Sequence, residues 1–398
     1  MQLSAAALPL MVVPHLARVL GPAGWGALAS AEAAGRCLSL LVEYGFQLSA
    51  TRDVAQAGAS RMNRRRVVSG VGSAQLGLLA AGGILALLAG RIWPAAAPLI
   101  ALALVWAACQ SLSPSWYLQG VERMGVMAWV EIPPRIAAAL AILWFVRTPA
   151  DAWLALSFQA LAAAATALAG WTFVARDAGL PQFSLDAGWR VLAGGAPVFL
   201  FRGAVSLYTT ANVLLLGLFA APAIVAQFAG AEKIVRAAIS LTGPVSQAFY
   251  PRINRLMRTG GRGAANELRA SALSMLALGA AIGAGVLLCA APLVRIVLGP
   301  GYEGSASLLR LLAVVPLLVV ASNVLGIQWM LPLRMDREFT GIVLAAGLLN
   351  LTMAALLGPR GQAAGMAVSL VAAETAVTLG CVLTLSSRGL APWRVAPV

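Results

Sequence analysis

"PAGWGALASAEAAGR", residues 22–36, returns in altered form as "PAIVAQFAGAEKIVR" at residues 222–236. Aligned without a gap, Pro22 matches Pro222, Ala23 matches Ala223, Ala29 matches Ala229, Ala31 matches Ala231, Glu32 matches Glu232 and Arg36 matches Arg236. The alanines carry little weight in an alanine-rich chain. A matched Pro, Glu and Arg weigh more, because only 11% of the residues are charged. Duplicated bundles are a common way to build membrane transporters, so this pair decides how the chain is divided. Chance similarity stays open as the alternative.

Working outward, 60% of the residues are hydrophobic and the mean hydropathy is +0.85, far above the range of a soluble domain. Apolar windows long enough to cross a bilayer recur along the chain, and charged or Pro/Gly-containing breaks separate them. Twelve spans are expected, near 3–20, 25–48, 67–90, 94–115, 125–146, 151–174, 190–218, 222–248, 270–291, 304–331, 340–357 and 362–386. No strand-like alternation appears, so the fold class is an all-α integral membrane bundle. The matched segments stand six spans apart, and an even number preserves orientation. The halves are therefore read as parallel repeats: a first six-helix lobe over 1–180, a linker over 181–186 and a second six-helix lobe over 187–398. The first residues lack a basic n-region and an A-x-A site, so they read as the start of a span and not as a signal peptide.

Orientation follows from Lys and Arg in the loops, since cytoplasmic loops carry the excess. One alternate set of loops holds 17 of the 28 basic residues, among them Arg52, Arg61, Arg64, Arg65, Arg66, Arg123, Arg176 and Arg190, and the other set holds 5. Both termini are thereby placed in the cytoplasm. The net charge of +14 sits in loops without interleaved aromatics, so membrane lipid, and no nucleic acid, is the expected partner. The four cysteines fall in spans without CxxC spacing and read as small core residues. No metal site is expected.

Three pairs inside spans have Glu-to-Arg spacing of four: Glu32/Arg36, Glu131/Arg135 and Glu232/Arg236. That spacing puts both partners on one helix face. Glu43 extends the first stripe, Lys233 adjoins the third, and Arg202 and Glu374 lie near the middles of spans seven and twelve. A charge at mid-bilayer costs about 2.5–3.5 kcal/mol on insertion scales. Two readings stay open. The pairs serve as internal salt bridges, or Arg36, Arg135, Arg202, Lys233 and Arg236 line a cationic cavity for an anionic head group. Guanidinium suits the second role, because it binds phosphate oxygens bidentately and stays charged.

Several strings together resemble the polysaccharide transporter family, of the Wzx-type O-antigen flippases, within the multidrug/oligosaccharidyl-lipid/polysaccharide (MOP) exporter superfamily. They are "ARVLGPAGWG" (17–26), "EYGFQLSATRDVA" (43–55), "PSWYLQGVERM" (114–124), "AEKIVRA" (231–237), "FYPRINRL" (249–256), "LGPGYEGSASLLRLL" (298–312) and "SNVLGIQWMLP" (322–332). The resemblance implies a MATE/MOP-like fold and movement of undecaprenyl-pyrophosphate-linked oligosaccharide between leaflets by alternating access. It implies a cytoplasmic gate around Arg52, Asp53 and Glu122, and, as partners, a glycan polymerase and a chain-length regulator. No cofactor is implied. The intramembrane acids Glu32, Glu43, Glu131, Glu232 and Glu374 are candidates for H⁺ or Na⁺ coupling or for a structural role.

Two rivals stand against this reading. A membrane glycosyltransferase or polymerase normally presents a sizeable extracytoplasmic loop with acid/base residues; here those loops are short and His15 is the only histidine. No P-loop is present either. A cation-coupled drug exporter of the same superfamily shares the fold, and the sign of the cavity charge discriminates: cationic drugs need acidic walls.

Overall fold

The computed structural model describes residues 2–92, 97–243, 245 and 262–390. These fall into two compact units, Met1–Gly217 and Leu218–Val398. The described residues are helical and turn structure throughout, with seven helical stretches long and apolar enough to cross a membrane. The chain is a multi-pass, all-α membrane protein.

The first unit opens with α1 (Gln2–Glu43), which is two helices in line: Gly21 holds φ 64°, ψ 176°, a conformation that only glycine adopts without strain. That break falls between the first two expected spans. The sole histidine joins the first half of α1 to the far end of α6 (Met124–Phe145), His15 Nε2 lying 2.9 Å from the Val146 carbonyl oxygen. Tyr44 (φ 44°) and Gly45 (φ 77°) then turn the chain into α2 (Phe46–Gln56), and the Tyr44 ring stacks on Phe199 at 4.3 Å. Helices α3 (Arg61–Ile92) and α4 (Ala97–Ser111) follow, then the short α5 (Ser115–Gly120). Polar side chains dock α2 on α5: Gln47 Nε2 donates to Ser115 Oγ (2.8 Å) and Thr51 Oγ1 to the Trp116 carbonyl (3.0 Å). A Cβ at Gly120 would lie 2.8 Å from the Thr51 carbonyl oxygen, so this contact needs glycine.

After α7 (Ala152–Asp177) the chain runs without regular structure over residues 179–184 into α8 (Leu185–Phe219). The expected linker, 181–186, covers the end of this stretch and the first two residues of α8; it lies inside the first unit and is stitched to α3. Arg65 Nε donates to the Leu180 carbonyl (3.2 Å), and the amides of Gln182 and Ser184 donate to Ser69 Oγ (2.9 Å) and Ser73 Oγ (3.0 Å). Gly70 and Gly188 then let α3 and α8 approach: a Cβ at Gly70 would meet Val191 Cγ2 at 2.8 Å.

The second unit begins within the last turn of α8 and continues with α9 (Pro222–Ser240), entered through Pro222 at the first helical turn, where a missing N–H leaves no bond unmade. α9 is not among the seven apolar stretches, and it carries Glu232, Lys233 and Arg236 in 19 residues. Next come α10 (Arg262–Leu288), α11 (Ala290–Val297), α12 (Glu303–Leu312) and α13 (Val315–Ser322), the last continuing as a π-helical segment Asn323–Met330. Gln227 pins α9 to α12, accepting from the Ser305 amide (2.7 Å) and donating to the Gly301 carbonyl (2.8 Å). Finally α14 (Asp336–Ser387) is interrupted at Gln362 (φ 46°, ψ −125°), the first residue of the last expected span. Of the cysteines, Cys289 departs from the core reading: it sits exposed at the break between α10 and α11, where the helix ends leave its side chain outside the packing.

Candidate functional site: intramembrane ion pairs and a basic end

The three expected pairs all form. Arg36 Nη2 lies 2.8 Å from Glu32 Oε2, Arg135 Nη2 lies 3.2 Å from Glu131 Oε2, and Arg236 Nη2 lies 2.6 Å from Glu232 Oε1. Within each pair the partners differ in the same way. The glutamate side chains are 8%, 11% and 8% exposed, and the arginine side chains 49%, 40% and 46%. A buried acid thus tethers a cation whose outer face stays open, which is the geometry an anion-binding arginine requires.

Each acid is held by its surroundings. Glu32 also accepts from Gln159 Nε2 of α7 at 3.0 Å, and Glu232 takes two bonds from Arg236, through Nε (3.0 Å) and Nη2. Lys233 is half-buried next to Glu232. Glu374 is buried on α14, and Glu43 is half-buried at the end of α1. The Arg202 side chain lies outside the described residues, so its expected place in this group has no geometry here. Among the described residues no three His, Cys, Asp or Glu side chains gather as metal ligands.

At the basic end of the first unit, Arg52 and Asp53 contact each other at 3.6 Å and both are well exposed. Glu122 is exposed, with φ 59°, and makes no hydrogen bond or ion pair through its side chain among the described residues. A different set of residues ties the helices there. Tyr117 of α5 donates its hydroxyl to Asp177 Oδ2 of α7, and Arg64 of α3 reaches the same oxygen at 2.7 Å. Arg64 also caps the turn before its own helix by donating to the Gly58 carbonyl (2.7 Å). No spacing rule points to this triad, since its members lie 60 and 113 residues apart. The available signal is Asp177 itself, an acid at the end of α7 directly after Arg176.

In the second unit a tryptophan and an ion pair tie helix ends. Trp329 Nε1 donates to the Leu390 carbonyl at 2.9 Å, and Arg388 pairs with Glu338 at 2.6 Å.

Residues 1–257 match the family described as "Polysaccharide biosynthesis protein". A protein of Escherichia coli (strain K12) named "Putative O-antigen transporter" is 31% identical over 378 residues, covering 93% of this chain and 91% of that protein. A Shigella dysenteriae protein of the same name is 28% identical over 378 residues, covering 93% and 94%. Among solved structures, "Lipid II flippase MurJ, inward closed conformation" superposes with a TM-score of 0.70 at 12% identity, covering 96% of this chain and 87% of that one. An inward-facing multidrug resistance MATE family transporter of the MOP superfamily gives 0.67 at 15% identity, covering 97% and 95%. At such identities these two likenesses concern the fold. The family resemblance read from the sequence strings is borne out: this chain belongs to the polysaccharide biosynthesis protein family and has the fold of the MOP-superfamily transporters.

Proposed function

We propose that the protein is a flippase that moves undecaprenyl-pyrophosphate-linked oligosaccharide repeat units across the bacterial cytoplasmic membrane. Twelve spans in two parallel six-helix lobes, with both termini in the cytoplasm, alternate access to the two leaflets. The head group is received by Arg36, Arg135 and Arg236, with Lys233 and Arg202 adding positive charge. One observation carries the reading: each arginine of the three pairs is half exposed while the acid behind it is buried. An exposed guanidinium edge can engage a second anion beside the carboxylate. A pyrophosphate acceptor needs that open face, and the buried carboxylate fixes the guanidinium plane before substrate arrives. The names of the E. coli and S. dysenteriae relatives point to the same substrate class.

Sugars are recognised by hydrogen bonds and aromatic faces, while the polyprenyl chain needs only lipid. The phosphate end therefore supplies the common handle and the arginines its acceptor. The test is complementation of a flippase-deficient strain that carries matching glycan-assembly genes. Surface glycan is expected with the wild-type chain and is expected to fail with Arg36→Ala or Arg236→Ala at equal membrane abundance. Full glycan from both variants would overturn the arginine assignment. Export of cationic drugs without any glycan would replace the substrate class.

A further inference from the structure

The stitched segment between α7 and α8 has a second side. The amides of Gln182 and Ser184 donate to Ser69 and Ser73 of α3, while Leu180 and Phe183, with Leu185 and Trp189 in the first turns of α8, are all strongly exposed. Four large apolar side chains in ten residues form a surface that water penalises. Cations flank that surface. Arg176 stands exposed in the last turn of α7, Arg65 is bonded to the Leu180 carbonyl through Nε, and Arg190 is bonded to the Asp186 carbonyl through Nε at 3.2 Å. In both bonded arginines the Nε contact orients the guanidinium and directs its two Nη groups away from the backbone, the edge that engages phosphate oxygens in pairs. The acids nearby are Asp186, which is exposed, and Asp177, which is engaged by Arg64 and Tyr117. Cations are in excess.

We propose that residues 179–190 form an interfacial anchor that binds anionic phospholipid of the bilayer leaflet at this face. Leu180, Phe183, Leu185 and Trp189 enter the boundary between head groups and acyl chains, and Arg65, Arg176 and Arg190 take the phosphates. The stitching to α3 lowers the cost of that placement. Unbonded amides are penalised at an apolar boundary; Ser69 and Ser73 bond those of Gln182 and Ser184, and Pro181 between them has none to satisfy. Membrane residence is the only premise, and the substrate carried does not enter.

The test uses the full-length protein and native mass spectrometry, with phosphatidylglycerol competing against phosphatidylethanolamine of the same acyl chains. The wild-type protein is expected to retain phosphatidylglycerol preferentially. R190Q is expected to cut that preference about fivefold, and R65Q/R176Q/R190Q to abolish it, since each basic residue at an anionic surface contributes roughly that factor. R147Q, beyond the other end of α7, is expected to keep it. An unchanged preference in R190Q and in the triple variant, or an equal loss in R147Q, would overturn the proposal. In nanodiscs, which leave both faces open, Phe183→Cys is expected to react slowly with a water-soluble maleimide over the parent background. Fast labelling would show a water-facing surface suited to a protein partner and would equally overturn it.

Discussion

Residues 22–36 and 222–236 begin as a sequence similarity and end as a similarity of environment. Trp25 and Val225, Leu28 and Phe228, Ala29 and Ala229, Ala31 and Ala231, and Glu32 and Glu232 are all buried, and Arg36 and Arg236 are both exposed. A second correspondence, invisible as identity, lies further along each unit. Arg123 N bonds the Leu118 carbonyl (2.9 Å), and Met335 N bonds the Met330 carbonyl (3.0 Å). Glu122 N bonds Gln119 O (3.0 Å), and Arg334 N bonds Leu331 O (2.9 Å). The residue before each N-cap holds a left-handed φ, 59° at Glu122 and 58° at Arg334. Even the aromatics correspond, Tyr117 and Trp329 each reaching the last turn or end of a later helix. Backbone geometry persists here where side-chain identity has drifted. That favours the proposed repeat over coincidence, and it directs attention to the places where the halves differ.

The sharpest use of the comparison is functional. Arg36→Ala and Arg236→Ala each remove one half-exposed guanidinium from equivalent sites. A charged hydrogen bond contributes about 1.5–3 kcal/mol, so transport is expected to fall roughly 10- to 100-fold in each. The surroundings differ, and stability should follow them. Glu32 keeps the Gln159 amide, whereas the hydrogen bonds described for Glu232 come from Arg236 alone. Arg236→Ala should therefore lower the melting temperature in detergent more than Arg36→Ala. Equal transport losses would sharpen the equivalence. Loss in one variant with full activity in the other would break it and confine phosphate binding to a single unit.

Packing separates the halves next. A Cβ at Gly35 would lie 2.8 Å from the Ala103 carbonyl oxygen and 2.9 Å from the Trp106 ring, neither of which can yield without moving a helix. At Gly230 the nearest atom is the Leu298 Cδ1 methyl at 2.5 Å, which a rotamer change removes. Gly35→Ala is expected to destabilise by about 1–3 kcal/mol, as overpacking does. Gly230→Ala should come out near neutral, because the gain in helix propensity, about 1 kcal/mol, offsets the shift. Thermal unfolding of the two variants decides this; equal losses would mean that Leu298 is as fixed as a backbone carbonyl.

The helix-end ties come third. Tyr117→Phe removes the hydroxyl bond to Asp177 but leaves the Arg64 ion pair, and Trp329→Phe removes the bond to the Leu390 carbonyl. Both should cost about 1 kcal/mol. Asp177→Asn abolishes the charge that Arg64 and Tyr117 share and should cost more than either. A neutral Asp177→Asn would mean that the triad contributes nothing beyond its neighbours' packing.

How much of this was legible in advance follows from the range of each interaction. The i,i+4 ion pairs were visible because helix geometry alone brings positions 32 and 36, 131 and 135, and 232 and 236 together, and the breaks at Gly21 and Gln362 fall where the apolar windows pause. The Tyr117–Asp177–Arg64 triad was not, since three helices must pack before those residues meet. The seam along Ser69 and Ser73 was hidden for another reason. Hydroxyl-to-backbone bonds need no partner side chain, so residues 180, 182 and 184 carry no signature of being held. That seam joins α3 to the stretch leading into α8, which groups with the first unit, although the expected repeat places its span at the head of the second lobe.

The smallest expected effect tests the deepest similarity. Glu122 and Arg334 both hold φ near +60°, a region that costs a side-chain-bearing residue about 1 kcal/mol and that glycine enters freely. Glu122→Gly and Arg334→Gly should each stabilise by a few tenths to about 1 kcal/mol, reduced by the extra freedom glycine gives the unfolded chain. The important quantity is the difference between them. If the two turns are one inherited device, the shifts in melting temperature should agree, since strain set by backbone geometry does not depend on which side chain bears it. A gain at Arg334 with a loss at Glu122 would mean that the Glu122 carboxylate has a partner in the working membrane protein, as a gate residue requires. The same pair of glycine variants therefore tests both the repeat and the gate expected at Arg52, Asp53 and Glu122.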